Sequence, residues 1–273
     1  MLIALTGASG IVGGWIGAAL TRAGHQLRPL HGWRLGQPAD LAGCQALVHA
    51  AFQHLPGRYR GGEGDDPAGF RRANLDGTLA LFRDAQAQGV GRVLFVSSRA
   101  VHDGHPPGTL LTEDMPPAPT TLYGEVKAQA EQLLAAMAGP DFRTASLRPT
   151  GVFGPGRPQK WAGLIGDFLA GRPIAPRVAT EVHGADLADA ALLVLSDPAM
   201  SGAYDVSDLI LDRHDLLAAV AALTGARHPP PPRADARLLR VPKCARLRAL
   251  GWQPRGLERL HADLPLILEQ LKD

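Results

Sequence analysis

Apolar positions along this chain follow two alternating rhythms. Short runs such as Leu2-Ile3-Ala4-Leu5 and Val93-Leu94-Phe95-Val96 read as buried strands, and between them apolar residues return every three or four positions, as on a helix covering one face. The pattern predicts strands near 2–6, 26–30, 46–51, 92–98 and 142–147, and helices near 11–23, 66–88, 122–138, 184–197 and 212–224. Strands alternating with helices are the sequence form of a parallel sheet covered on both faces, so the predicted fold class is α/β and doubly wound. No internal repeat is present.

Three short patterns carry candidate chemistry. The first strand runs into Thr6-Gly7-Ala8-Ser9-Gly10-Ile11-Val12-Gly13, followed by the helical spacing of Ile11, Trp15, Ile16, Ala19 and Leu20. Glycines let backbone approach a pyrophosphate, and free N–H groups at the helix start receive the anion. A glycine triplet alone serves many turns; the strand before it and the helix after it favour the dinucleotide reading. The second pattern is Ser97-Ser98, closing an apolar run. The third is Tyr123-Gly124-Glu125-Val126-Lys127, whose Tyr and Lys share one helix face. A phenol with an ordinary pKa of about 10 is a poor base. A neighbouring ammonium and an oxidised nicotinamide favour the phenolate, which can then exchange a proton with an alcohol or carbonyl. The plain alternative is a half-buried tyrosine beside a solvated lysine, and the order of the three patterns weighs against it.

In that order the patterns resemble the extended branch of the short-chain dehydrogenase/reductase superfamily, the NAD-dependent epimerase/dehydratase family. Leu47-Val48-His49-Ala50-Ala51 is similar to its fourth strand, Asn74-Leu75-Asp76-Gly77-Thr78 to the start of the next helix, and Arg92 to Ser98 to its fifth strand. Leu147 to Gly156 resembles the sixth strand and the turn beside the nicotinamide, and Val182 to Ala190 and Leu250 to Pro254 match later landmarks. The resemblance implies a Rossmann sheet over 1–150 and a mainly substrate-binding lobe over 151–273. Elements near 181–206, including a strand near 181–183, would return to the Rossmann core.

The same resemblance implies Ser98, Tyr123 and Lys127 as the catalytic group. Ser98 is chosen over Ser97 because Val101-His102-Asp103 stands where the family has Val-Tyr-Gly; Ser97 reads as a strand end with a backbone hydrogen bond. The cofactor would run along Gly7, Ser9, Gly10, Ile11, Val12 and Gly13. Further contacts would come from His49, Ala50, Ala51, Asn74, Val96 and Ser97, with Pro149 and Val152 at the nicotinamide and Tyr123 and Lys127 beside it. Asn74 as a helix N-cap is the ordinary alternative. Substrate contacts fall on Ser98, Arg99, His102, Thr150, Trp161 and His183, although His102 also reads as a surface histidine and Trp161 as core. Arg148 reads as an ion-pair partner.

The family's dehydratases carry Asp-Glu after the serine. Arg99-Ala100 here disfavours 4,6-dehydration and leaves reduction, oxidation and epimerisation open. A sugar or nucleotide-sugar substrate is the family default. The alternative is a smaller carbonyl compound, because only about 120 residues follow the sixth strand and no nucleotide-diphosphate motif is recognisable. A non-catalytic NAD(P)-sensing protein is the competing class, and retention of Ser98, Tyr123 and Lys127 argues against it.

One stretch departs from the family. Only 15 residues separate Leu30 from Ala46, too few for a helix, a strand and another helix when one crossover takes about 10–12. The third strand is therefore vestigial near Trp33–Leu35, or absent, and the adenine side of the sheet is reduced. That stretch also holds no acid before Asp40, where NAD-preferring enzymes place a carboxylate on the ribose hydroxyls. NADP is favoured over NAD, with Arg28, His31 and Arg34 as candidates for its 2′-phosphate, Arg34 first.

Two loops stand out. His54 to Gly69 holds five glycines with Arg58, Tyr59 and Arg60, and reads equally as a ligand loop or a mobile surface loop; His102 to Thr121 is proline-rich and leads into Tyr123. With 45% hydrophobic and 20% charged residues and a net charge of +2, the composition gives no basis for a nucleic-acid partner. Cys44 and Cys244 lack metal-ligand spacing, and reduced thiols are favoured over a disulfide. No metal site, signal peptide or membrane span is read, so the expected location is cytoplasmic. The expected partner is a small-molecule substrate, with a homodimer through helices 66–88 and 122–138 as an option.

Overall fold

The computed structural model describes residues 1–55 and 61–272; Arg58, Tyr59 and Arg60 lie outside them. The chain opens with β1 (Leu2–Thr6), α1 (Ile11–Arg22), β2 (Gln26–Pro29) and β3 (Ala46–His49). Next come α2 (Pro67–Arg71), a single wide π-helical turn at Arg72–Asp76, α3 (Gly77–Ala87) and β4 (Arg92–Val96). After a 3₁₀ turn at Arg99–His102 and a two-residue strand β5 (Leu110–Leu111) follow α4 (Leu122–Ala136) and β6 (Arg143–Pro149). The remainder is β7 (Gly151–Phe153), α5 (Ala162–Leu169), β8 (Val178–His183), α6 (Gly184–Ser196), β9 (Gly202–Val206), β10 (Leu209–Asp212), α7 (Arg213–Thr224), β11 (Val241–Pro242), α8 (Ala245–Ala249) and α9 (Gly256–Gln270).

Six strands form a parallel sheet in the order β2-β1-β3-β4-β6-β9. The order reverses between β1 and β3, and at such a switch point the crevice beyond the strands' carboxyl ends is where ligands bind in open α/β sheets. Alternate strand residues feed two layers. Ile3, Leu5, Val48, Leu94 and Leu147 pack with α1 and α6, whereas Ala4, Leu47, Val93 and Phe95 pack with α3 and α4. Apolar residues on both faces of one strand are what a doubly covered parallel sheet requires. A separate sheet of order β10-β8-β7 joins α5, α7 and α9 around Phe153, Trp161, Ile165 and Leu264.

Several expectations change. Strands β3 and β4 stop at His49 and Val96, two residues short of the predicted ends. No strand occurs at Trp33–Leu35, so the third strand is absent and β2 is the edge. The helix expected at 66–88 is interrupted by the π turn. The strand expected to return near 181–183 exists as β8, but it pairs with β7 and β10; β9, beside β6, is the one that joins the main sheet. Cys44 and Cys244 are both buried free thiols, and no described helix is long and apolar enough to cross a membrane.

Candidate active site

The glycine turn is built by sterics. Gly7 has φ +67°, and a Cβ there would lie 2.7 Å from the Ala50 carbonyl carbon. A Cβ on Gly13 would come within 2.1 Å of the Gly7 oxygen. These two positions admit only glycine because β1, α1 and β3 meet there at backbone distance. Gly10 differs: its nearest neighbour would be 3.4 Å away, and as the N-cap of α1 it contributes no side-chain bond. The first-turn N–H groups of Ile11 and Val12 therefore have no side-chain cap. Ser9, Gly10 and Ile11 face a cavity of about 260 Å³ whose opposite wall is Val152 to Pro158 and Lys160. An uncapped helix start without a Cβ fits an anionic pyrophosphate.

Below the turn, Thr6 Oγ1 accepts from Ala50 N and Ala51 N, both at 3.1 Å, which fixes the end of β3 against β1. His49 is corrected by the structure. Its ring is fully buried, with Nδ1 2.7 Å from Thr6 Oγ1 and Nε2 3.0 Å from Thr78 Oγ1, so no ring nitrogen is left for a coenzyme. Burial, then the Lys127 charge, push it down to about 3. Asn74 is not an N-cap, since Asp66 caps α2. It lies buried in the π turn and clasps the chain after β3, accepting from Gln53 N at 2.7 Å and donating to Gln53 O at 2.8 Å.

The proposed catalytic residues converge at the end of β4. Thr121 caps α4 by accepting from Gly124 N, which starts the helix just before Tyr123. One turn on, Lys127 Nζ donates to Val96 O at 2.7 Å and lies 4.5 Å from the Phe52 ring centroid and 4.6 Å from that of Phe95. Burial pushes Lys127 down to about 7, with the Glu131 carboxylate pulling the other way; aromatic faces also favour the cation. The Tyr123 ring meets Phe52 edge-on at 5.1 Å. Ser98 is half-buried and caps the following 3₁₀ turn, its Oγ accepting from Ala100 N at 3.1 Å. Ser97 ends the strand through N–H to Leu147 O at 2.8 Å, and its buried hydroxyl has no partner among the described residues.

Other candidates separate. Val152 lines the glycine-turn cavity, and Pro149 ends β6 beside it. Thr150 is buried, donating toward Val206 O and Ser207 Oγ. Arg99 pairs with Asp103 at 2.8 Å. His102 is not on the surface: it is wholly buried, with Nε2 2.8 Å from Arg148, whose guanidinium is gripped by Glu131. Trp161 stacks on Phe153 inside the lobe core, and His183 caps α6 while its Nε2 meets Asp263 of α9 at 2.9 Å. Both are corrected from substrate contacts to packing residues. On the adenine side Arg28 donates to Ala42 O at 2.7 Å, whereas His31 and Arg34 are exposed. The motifs did not point to Phe52, which packs on Tyr123 and Lys127, or to Trp15 and Lys160, which line the glycine-turn cavity; only Phe52, directly after the Ala50-Ala51 segment, has a positional signal.

A profile described as the NAD dependent epimerase/dehydratase family matches residues 3–207. A 4-hydroxy-2-methyl-3-oxo-4-farnesyl-3,4-dihydroquinoline-1-oxide ketoreductase from Stigmatella aurantiaca is 40% identical over 42% of this chain and 33% of its own length. A UDP-glucose 4-epimerase from Mycolicibacterium smegmatis is 30% identical over 70% of this chain and 66% of its own. The match thus spans one third of the first relative and just under two thirds of the second. Among solved structures, MoeE5 in complex with UDP-glucose and NAD superposes with a TM-score of 0.81 at 25% identity, covering 100% of both chains.

Proposed function

This chain belongs to the NAD-dependent epimerase/dehydratase family and is an enzyme of that family, and from that premise we propose that it moves a hydride between a nicotinamide coenzyme and a carbinol or carbonyl carbon. The observation that supports this reading is that Lys127, one turn after Tyr123 on α4, bonds the Val96 carbonyl at the end of β4, two residues before Ser98. The open start of α1 would hold the coenzyme's diphosphate, with Ala50 and Ala51 along its length and Pro149 and Val152 near the nicotinamide. The bound nicotinamide supplies the hydride donor or acceptor. Tyr123 gives or takes the proton at the substrate oxygen. Ser98 Oγ, already accepting from Ala100 N, keeps its own proton to donate to that oxygen. The Lys127 ammonium would favour the phenolate of Tyr123, and its remaining protons would be the ones available to the coenzyme ribose.

The substrate reading is a sugar or nucleotide sugar, supported by the UDP-glucose 4-epimerase relative and the UDP-glucose complex. A smaller ketone is the second reading. The aromatic wall that Phe52 sets against Tyr123, and the ketoreductase relative, favour it. NADP is preferred over NAD, because no carboxylate stands after β2 before Asp40 to repel a 2′-phosphate. Mass spectrometry of small molecules released from the denatured protein tests the substrate fork. A nucleotide sugar supports the first reading, and turnover of a simple ketone with NADPH supports the second. Failure of the protein to bind either NADH or NADPH defeats both.

A further inference from the structure

The cavity against the glycine turn is lined by charge of one sign. Among the described residues its ionisable side chains are Arg157 and Lys160, and no carboxylate lines it. Lys160 is no freely solvated lysine: its side chain is 25% exposed, and its ammonium is bonded to Glu181, whose side chain is 10% exposed. Burial pushes Lys160 down and Glu181 up, each opposed by the other's charge.

The pair has a made-to-measure seat. A Cβ on Gly151 would lie 2.4 Å from Glu181 Oε2 and 2.5 Å from Lys160 Nζ, so the absence of a side chain there is what admits both. Both ends are held. Glu181 sits in β8, the central strand of the lobe sheet, and Lys160 precedes Trp161, whose ring is stacked in the lobe core. The neighbouring Gln159 bonds Gly154 O at 3.1 Å and Trp161 N at 3.2 Å. An ammonium has three donors and Glu181 takes one. A lysine already immobilised loses little further rotamer freedom when an anion arrives.

We propose that Lys160, clamped by Glu181 and flanked by Arg157, binds a diphosphate from the side of the cavity opposite the start of α1. This rests on the nicotinamide-coenzyme reading above. The coenzyme's own diphosphate is the occupant, because Ser9, Gly10 and Ile11 form the facing wall of the same cavity. A nucleotide sugar carries the same chemistry, so the experiment separates the two sources.

NADH, NADPH and UDP-glucose are titrated separately into wild type, Lys160→Met and Lys160→Met/Glu181→Gln, after thermal melts establish that each variant folds. The double variant is needed because a lone Glu181 carboxylate would itself repel an anion. Both variants are expected to bind NADH and NADPH about tenfold more weakly, by the same factor for each, with UDP-glucose unaffected. In Lys160→Met, which alone loses net positive charge beside the cavity, the salt dependence of the NADH constant should also become shallower, which loss of a merely structural contact would not produce. An unchanged NADH constant in the double variant overturns the proposal, and a loss confined to UDP-glucose overturns the coenzyme assignment. If wild type binds neither coenzyme, the nicotinamide reading itself fails, an outcome distinct from the other two.

Discussion

At the residue scale, Tyr123 and Lys127 share one helix turn but have different surroundings. Tyr123 is half-buried, and Lys127 is buried beside Phe52, Phe95 and the Val96 carbonyl. Tyr123→Phe keeps the ring packed on Phe52 and removes the phenolic hydroxyl. Turnover of the identified substrate should fall by about 10²–10⁴-fold with coenzyme affinity nearly unchanged. Near-normal turnover would remove Tyr123 from the chemistry. Lys127→Ala should weaken coenzyme binding as well, if the proposed double role of that side chain holds, and an unchanged coenzyme constant would remove the binding half of it. Arg28 is engaged with the Ala42 carbonyl while Arg34 is exposed. Arg34→Ala should therefore weaken NADPH by roughly tenfold, from the loss of one charge-assisted bond, and leave NADH alone. Tighter NADH than NADPH binding in wild type would sink that preference.

At the element scale, the glycine turn separates packing from binding. Gly13→Ala forces a Cβ to within 2.1 Å of the Gly7 oxygen, a backbone atom that cannot yield. Overpacking of this kind costs about 1–3 kcal/mol and should appear as a lower melting temperature. Gly10→Ala has room, with its nearest neighbour at 3.4 Å, so the melt should stay close to wild type. Its methyl would instead stand on the ligand side of the open helix start, and coenzyme affinity should fall at least about tenfold. Equal melting losses in the two variants would erase this distinction. The turn was legible because its glycines fall between an apolar run and a helical pattern, although Gly7 itself is held by the Ala50 backbone far along the chain. The break in the helix at 66–88 was not. Within it Asn74 bonds Gln53, 21 positions away, and no local periodicity encodes that partner.

At the scale of the whole molecule, buried titratable groups set the acid limit of the fold. Burial pushes His49 down to about 3 and His102 to about 4, whereas an unfolded histidine titrates near about 6.5. A folded pKa below the unfolded one means stability is intact above pH ~6.5 and lost as pH falls toward the folded value. Asp205, raised to about 7 by burial, works in the opposite sense across the same range. The clean measurement is therefore a difference between two proteins. At pH 7 His49→Gln should be the less stable one, having lost the bonds to Thr6 and Thr78. Its deficit should shrink by roughly 1.4 kcal/mol per pH unit between about pH 6 and 4, because wild type alone carries this linked proton. Urea unfolding at pH 7.0 and 4.5 reads the gap, and a constant gap would refute the buried neutral histidine.

What depends on near neighbours can be read from the chain alone. The alternation of apolar strands and helices specified the doubly covered sheet, and Gly7, Gly10 and Gly13 marked the turn. The four-residue step from Tyr123 to Lys127 placed the two on one face. Tertiary structure decided everything set by residues far apart in the chain. It put β9, and not β8, beside β6, turned His49 into a buried brace, and sent Trp161 and His183 into packing. It also set Lys160 on Glu181 against Gly151 across from α1. A side chain's partners across the sheet, and its exposure to the cleft, follow from strand order and register. Local propensity carries no information about either.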